Sequence, residues 1–123
     1  MGRNRIALTQ NTHLTTREET LKFAKNYAIL LPPNSILALF GDLGSGKTTF
    51  VQGLALGLNI NTPIQSPTFN YLNIYEEGTL PLYHFDLYRL KTSSDFLSLG
   101  FEEYFEKDGI TVIEWAERIK PML

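Results

Sequence analysis

Ser35-Ile36-Leu37-Ala38-Leu39-Phe40 runs directly into Gly41-Asp42-Leu43-Gly44-Ser45-Gly46-Lys47-Thr48. The first six residues are short, continuously apolar and bounded by turn residues, which predicts a strand buried on both faces, as in α/β sheets. The next eight fit G-x-x-x-x-G-K-[ST] at every position, the phosphate-binding P-loop pattern. Beyond them Phe50, Val51, Leu54, Ala55 and Leu58 keep helical spacing, with Gly57 near the stop. Strand, glycine loop and helix in that order are what this chemistry requires. Glycines admit torsions closed to other residues, so consecutive N–H groups can turn inward as an anion nest. The start of the helix adds its positive end. Lys47 brings a mobile ammonium to the β/γ oxygens, and Thr48 brings a hydroxyl for Mg²⁺. The candidate phosphate-binding set is Gly41, Asp42, Gly44, Ser45, Gly46, Lys47, Thr48 and Thr49.

Working outward toward the N-terminus, Thr15 and Thr16 stand three residues before Glu18 and Glu19, a capping-box spacing. Ala24, Tyr27, Ala28 and Leu31 then mark one buried helix face, and Pro32-Pro33 ends it. Arg5 to Thr9 reads as a first short strand. Toward the C-terminus, Phe69 to Tyr75 and Leu80 to Leu90 are rich in aromatic and branched residues and flank Glu76-Glu77-Gly78-Thr79, which predicts a hairpin. Pro81 falls at the start of its second strand. Thr92-Ser93-Ser94-Asp95 opens a short helix closed by Gly100, and Gly109 to Trp115 forms a last buried strand that ends on an acid.

With 123 residues, 43% hydrophobic and 20% charged, the chain is read as one globular domain over 1–123. A net charge of −2 provides no general basic field for nucleic acid, so an anion must be met by a local site. Zero cysteines exclude disulfides, zinc-thiolate sites, iron–sulfur clusters and thiol nucleophiles. No apolar run approaches the roughly 20 residues of a membrane helix. The basic start lacks an apolar signal core, and Ile6 stands where a myristoylation signal needs Ser or Thr. The expectation is a cytoplasmic protein without membrane association.

A P-loop needs an acid at the end of a neighbouring strand for its metal. Glu114 closes the last strand and fills that position. His84 and Asp86 lie two apart on a strand and therefore share a face. Asp86 could hold Mg²⁺ through water or orient the attacking water, whereas His84 reads equally as a satisfied core residue. The candidate catalytic residues are Lys47, Asp86 and Glu114, and the metal set is Thr48, Asp86 and Glu114. Thr68, in the turn Ser66-Pro67-Thr68, reads either as turn chemistry or as a switch hydroxyl facing the γ-phosphate. Trp115, Tyr71, Tyr75, Tyr83 and Tyr88 read as packing residues, Arg89 and Arg118 as surface charge or anion contacts. The strings expected of a Ras-type GTPase, D-x-x-G after a second strand and N-K-x-D for guanine, are absent, which favours ATP. Three functions fit so far: an ATPase, a small-molecule or nucleotide kinase, and a nucleotide-gated binding module.

GDLGSGKTTF, SPTFNYLNIYE, HFDLYRL and IEWAER together resemble the bacterial TsaE (YjeE) family, P-loop ATPases of tRNA threonylcarbamoyladenosine synthesis, from the first strand to about Arg118. The resemblance implies a three-layer α/β P-loop NTPase with a mixed parallel/antiparallel sheet, in which the 69–90 hairpin supplies the antiparallel part. It further implies ATP and Mg²⁺ as cofactors and slow hydrolysis by the protein alone. The partners would be TsaB and TsaD, with turnover resetting their complex and tRNA met only through it. Lys47 and Thr48 carry the P-loop roles by position, Glu114 the metal role and Asp86 a water- or metal-linked role. Thr68 and Trp115 fall in segments linked to nucleotide and partner response. Family members continue with further strands, whereas Leu123 follows Glu114 by nine residues. The C-terminus is therefore either naturally short or incomplete.

Overall fold

A computed structural model describes residues 16–40, 45–67 and 70–123. The predicted strand at 5–9, the cap at Thr15, and Gly41, Asp42, Gly44 and Thr68 lie outside the described residues. The first helix, α1 (Arg17–Ile29), starts at Thr16, whose side chain accepts from the Glu19 N–H at 3.1 Å. It stops three residues before Pro32-Pro33, and Leu30 N–H turns back onto Tyr27 O. Strand β1 (Ile36–Leu39) follows, then α2 (Ser45–Gly57), β2 (Leu72–Tyr75), β3 (Leu82–Asp86), α3 (Ser93–Ser98) and β4 (Ile110–Glu114). Two 3₁₀ segments, Phe101–Glu106 and Ala116–Met122, flank β4 in sequence.

The sheet order is β1-β4-β3-β2. β4 runs parallel to both β1 and β3, and β2 pairs antiparallel with β3 in the predicted hairpin. One face carries α1 and α2 over a core of Ala24, Ala28, Val51, Leu54, Leu58, Leu82, Ile110 and Val112. The other face carries α3 and the 3₁₀ segments over Ile36, Phe85, Phe96, Phe105, Ile113 and Ile119. The architecture is thus the expected three-layer α/β arrangement with a mixed sheet. The second layer is aromatic: the Phe85 ring lies 5.2 Å from Phe101 and 5.5 Å from Phe96, edge-on or tilted as ring quadrupoles prefer.

The helices α1 and α2 approach closely because small residues face each other. A Cβ on Gly53 would sit 2.6 Å from Ala24 Cβ and 2.7 Å from Leu21 O; one on Gly57 would sit 2.4 Å from Lys25 O. Glycine at both positions lets α2 rest on the α1 backbone.

Two expectations change. β1 was expected to be buried on both faces, yet only Ile36 is buried and Leu37 to Leu39 are partly exposed. Its side chains do point into both core layers, but among the described residues β1 is an edge strand, and an edge leaves one flank open. The second hairpin strand ends at Asp86 rather than Leu90. There Leu87 N–H bonds Glu114 O at 3.1 Å and Leu90 N–H bonds Leu87 O, so the backbone turns away.

Candidate functional site

Three strand ends meet at one edge of the sheet. The register sets Leu39 beside Glu114 and Asp86 on the other side of Glu114, all at carboxyl ends of parallel strands. Open α/β sheets place ligands in the crevice beyond such ends. α2 begins after β1 and brings Lys47 to this edge in its first turn. His84, Asp86 and Glu114 occupy the sheet face that carries α1 and α2, because residues two apart share a face and registered partners share it too.

His84 is fully buried, and its Nε2 lies 2.6 Å from Glu114 Oε2, with Glu114 5% exposed. Lys47 is 3% exposed, and its Nζ has no hydrogen-bond partner among the described residues. The ammonium sits 4.2 Å from the centre of the Trp115 ring. Trp115 reaches it from a left-handed backbone (φ 59°) that ends β4 abruptly. The same indole meets the Tyr88 ring in an edge-type contact, with centroids 4.9 Å apart. Arg118 donates to Tyr88 O at 3.2 Å.

Asp86 is half-buried, and its Oδ1 accepts the Tyr88 N–H at 3.0 Å. Burial pushes its carboxyl above the ordinary value of 3.8; the Tyr88 N–H opposes the rise, the Glu114 charge adds to it, and His84 and Lys47 work against it. One carboxylate thus feels the other three groups directly. Thr48 is half-buried and Thr49 buried at the helix start.

The structure therefore brings Lys47, Thr48, Asp86 and Glu114 to one edge, together with two residues whose contacts the sequence left open. His84 is the partner of Glu114, and Trp115 is a platform for Lys47 as well as a packing residue. The shared face of His84 and Asp86 was a readable signal for the first. Nothing local in the sequence announced that β4 lies alongside β3.

An ammonium withdrawn from water with no acceptor is the mark of a site built for an anion. Two carboxylates and a hydroxyl are hard oxygen donors of the type Mg²⁺ takes. Among the described residues no group of three or more acidic, histidine or cysteine side chains is assembled around one point. Mg²⁺ in nucleotide sites is held by one or two carboxylates plus phosphates and water, so the residues present fit it.

Beyond β3, an open groove of about 360 Å³ is lined by Thr62, Pro63, Gln65, Asn73, Ile74 and Tyr75, none of them charged. It arises where side chains grip the segment before Thr68. Asn73 Nδ2 donates to Gln65 O at 2.9 Å, Gln65 N–H donates to the Tyr75 hydroxyl at 3.2 Å, and Glu77 accepts from Asn61 N–H and from the Thr62 hydroxyl.

The family profile described as "Threonylcarbamoyl adenosine biosynthesis protein TsaE" matches residues 14–123. A tRNA threonylcarbamoyladenosine biosynthesis protein TsaE from Bacillus subtilis is 46% identical over 106 residues, covering 86% of this chain and 66% of that protein. The protein of the same name from Nostoc is 49% identical over 110 residues, covering 86% and 67%. The Rickettsia bellii protein of that name is 45% identical over 117 residues, covering 94% and 81%. The chain thus spans about two thirds of the length of the first two relatives. The crystal structure of Bacillus subtilis YdiB superposes with a TM-score of 0.71 at 41% identity, covering 89% of this chain and 66% of that one. A profile matched along nearly the whole chain, relatives at this identity and a shared fold agree: the chain belongs to the TsaE family.

Proposed function

We propose that this chain is a Mg²⁺-dependent P-loop ATPase of tRNA threonylcarbamoyladenosine biosynthesis. In this reading it works in the cytoplasm with TsaB and TsaD, cycles their complex, and meets tRNA only through it. The observation that carries the reading is the Lys47 ammonium, buried at the start of α2 with no hydrogen-bond partner among the described residues, at the sheet edge where Glu114 and Asp86 end their strands. Bound Mg²⁺ and ATP would supply the electrophilic phosphorus and the charge that draws these residues together. Lys47 would hold a β/γ oxygen. Thr48 Oγ1 and the Glu114 carboxylate would hold the metal, with Asp86 contributing to it through water. The Asp86 carboxylate oxygen would also orient the attacking water, a role helped by a proton affinity above that of an ordinary carboxyl.

The test is ATP titration with product analysis on wild type and Lys47→Met. Wild type should bind ATP and release inorganic phosphate with water as acceptor. Lys47→Met should bind at least about thirtyfold more weakly, as losing one buried charge contact costs about 2 kcal/mol or more. Unchanged affinity in Lys47→Met would remove the phosphate-site assignment, and a phosphorylated small molecule as product would identify a kinase.

A further inference from the structure

We propose that His84 is the positioning residue for Glu114, fixing through its Nε2–H the direction in which the carboxylate receives Mg²⁺. The inference rests on the metal role of Glu114 proposed above. His84 lies in the middle of β3 between Tyr83 and Phe85, flanked by β2 and β4, at a fully buried position that an aliphatic residue would fill at lower desolvation cost. Its one short polar contact among the described residues is the 2.6 Å approach to Glu114 Oε2; Nδ1 has none. A carboxylate that ligates a metal only accepts, so under the metal role of Glu114 the proton of this contact is carried by Nε2. The ring is fully buried, so turning it away would require close-packed core side chains to move.

Glutamate reaches its terminal oxygens through three torsions and by itself points loosely. Anchoring Oε2 to a ring fixed in the sheet determines where the other oxygen faces. Mg²⁺ tolerates little departure from octahedral geometry and so rewards a ligand already aimed. Groups that hydrogen-bond a ligating carboxylate typically change metal affinity about 10- to 100-fold when removed. The two acids at this edge are therefore restrained by different donors: Asp86 by the Tyr88 backbone N–H, Glu114 by the His84 imidazole.

The test compares wild type, His84→Gln, His84→Asn and Glu114→Gln by calorimetric titration with a slowly hydrolysed ATP analogue, in EDTA and across a Mg²⁺ series. Glutamine can present an amide N–H near the Nε2 position, whereas asparagine falls short. We expect His84→Asn to raise the Mg²⁺ midpoint about tenfold while leaving affinity in EDTA unchanged, and His84→Gln to restore the wild-type midpoint. An unshifted midpoint in a folded His84→Asn, or equal loss with and without metal, would overturn the inference. If Glu114→Gln shifts the midpoint and His84→Asn does not, the inference fails alone; if Glu114→Gln does not shift it, the metal role of Glu114 fails as well. A measurement on the wild-type chain does not depend on any variant folding. The His84 Nε2–H resonance should move when Mg²⁺ is added to the analogue-bound protein, and a stationary resonance would overturn the inference.

Discussion

An ammonium taken out of water costs several kcal/mol unless a partner compensates it, and Lys47 Nζ has the Trp115 ring but no hydrogen-bond acceptor among the described residues. A cation over an indole returns about 0.5–2 kcal/mol, less than the cost. Lys47→Met keeps the stem and the ring contact while removing the charge. It should therefore raise the nucleotide-free unfolding free energy by about 1 kcal/mol, read in urea, even as it loses ATP. Lower stability in that variant would mean that the charge has an acceptor after all. Asp86 carries the same tension in its titration. Its folded carboxyl is raised above 3.8 by burial, so the folded state binds more protons than the unfolded state just above that pH. Stability then falls as pH rises through the window between 3.8 and the raised value. Asp86→Asn should melt higher than wild type at pH 7, with the advantage shrinking as pH approaches 4, and should turn ATP over more slowly. A constant difference across pH would separate Asp86 from the effect. At this scale Lys47, Thr48, Asp86 and Glu114 were legible because each sits at a motif position or a strand end. The partner of His84 was not, since that contact joins two strands far apart in the chain.

The α1–α2 contact sets the height of α2 above the sheet, and it depends on missing atoms. Gly53→Ala would gain about 1 kcal/mol in helix propensity. Its new Cβ would also lie 2.7 Å from Leu21 O and 2.6 Å from Ala24 Cβ. Backbone cannot yield as a flexible side chain does, and overpacking of this kind costs about 1–3 kcal/mol. The clash should win by about 1 kcal/mol, seen as a lower denaturation midpoint with an unchanged slope. Gly53→Ala as stable as wild type would show that the helices separate without penalty. The grip on the segment before Thr68 is similarly local. Tyr75→Phe removes the hydroxyl that meets Gln65 N–H, leaves the ring in the core, and should speed amide exchange at 61–67 more than in β3. Most elements were readable in advance, because caps at Thr16 and Thr92, the prolines at 32–33 and Gly100 punctuate the chain locally. The strand order was not. β4, last in sequence, inserts between β1 and β3, and parallel pairing across such distances leaves no local signature. The partial exposure of β1 follows from that order and could not be read without it.

For the molecule as a whole, the arginines set the expectation for catalysis. The chain has five, of which Arg3 and Arg5 lie outside the described residues. Arg17 donates to Gln52 Oε1, Arg118 donates to Tyr88 O and Arg89 is engaged as well, so none of the three described arginines is free. P-loop enzymes that lack a cis arginine at the transferring phosphate gain about 10³–10⁵ in rate when a partner supplies one. Under the proposed function the isolated chain should therefore release phosphate slowly, and adding TsaB and TsaD should raise the rate by at least about tenfold at saturating ATP. The structure offers a route for that effect besides a donated charge. Tyr88 is 56% exposed, its ring meets Trp115, and the Trp115 ring meets Lys47. The Tyr88 N–H meanwhile restrains Asp86. A partner that seats on Tyr88 would shift both the ammonium and the water-orienting acid toward the competent arrangement, a change of population between existing states. Tyr88→Ala keeps the backbone N–H and removes the ring, so it should blunt stimulation more than basal turnover. Full stimulation in Tyr88→Ala would leave partner gating in place and move its contact elsewhere. Fast turnover by the chain alone would instead mean that the site is already complete without a second protein.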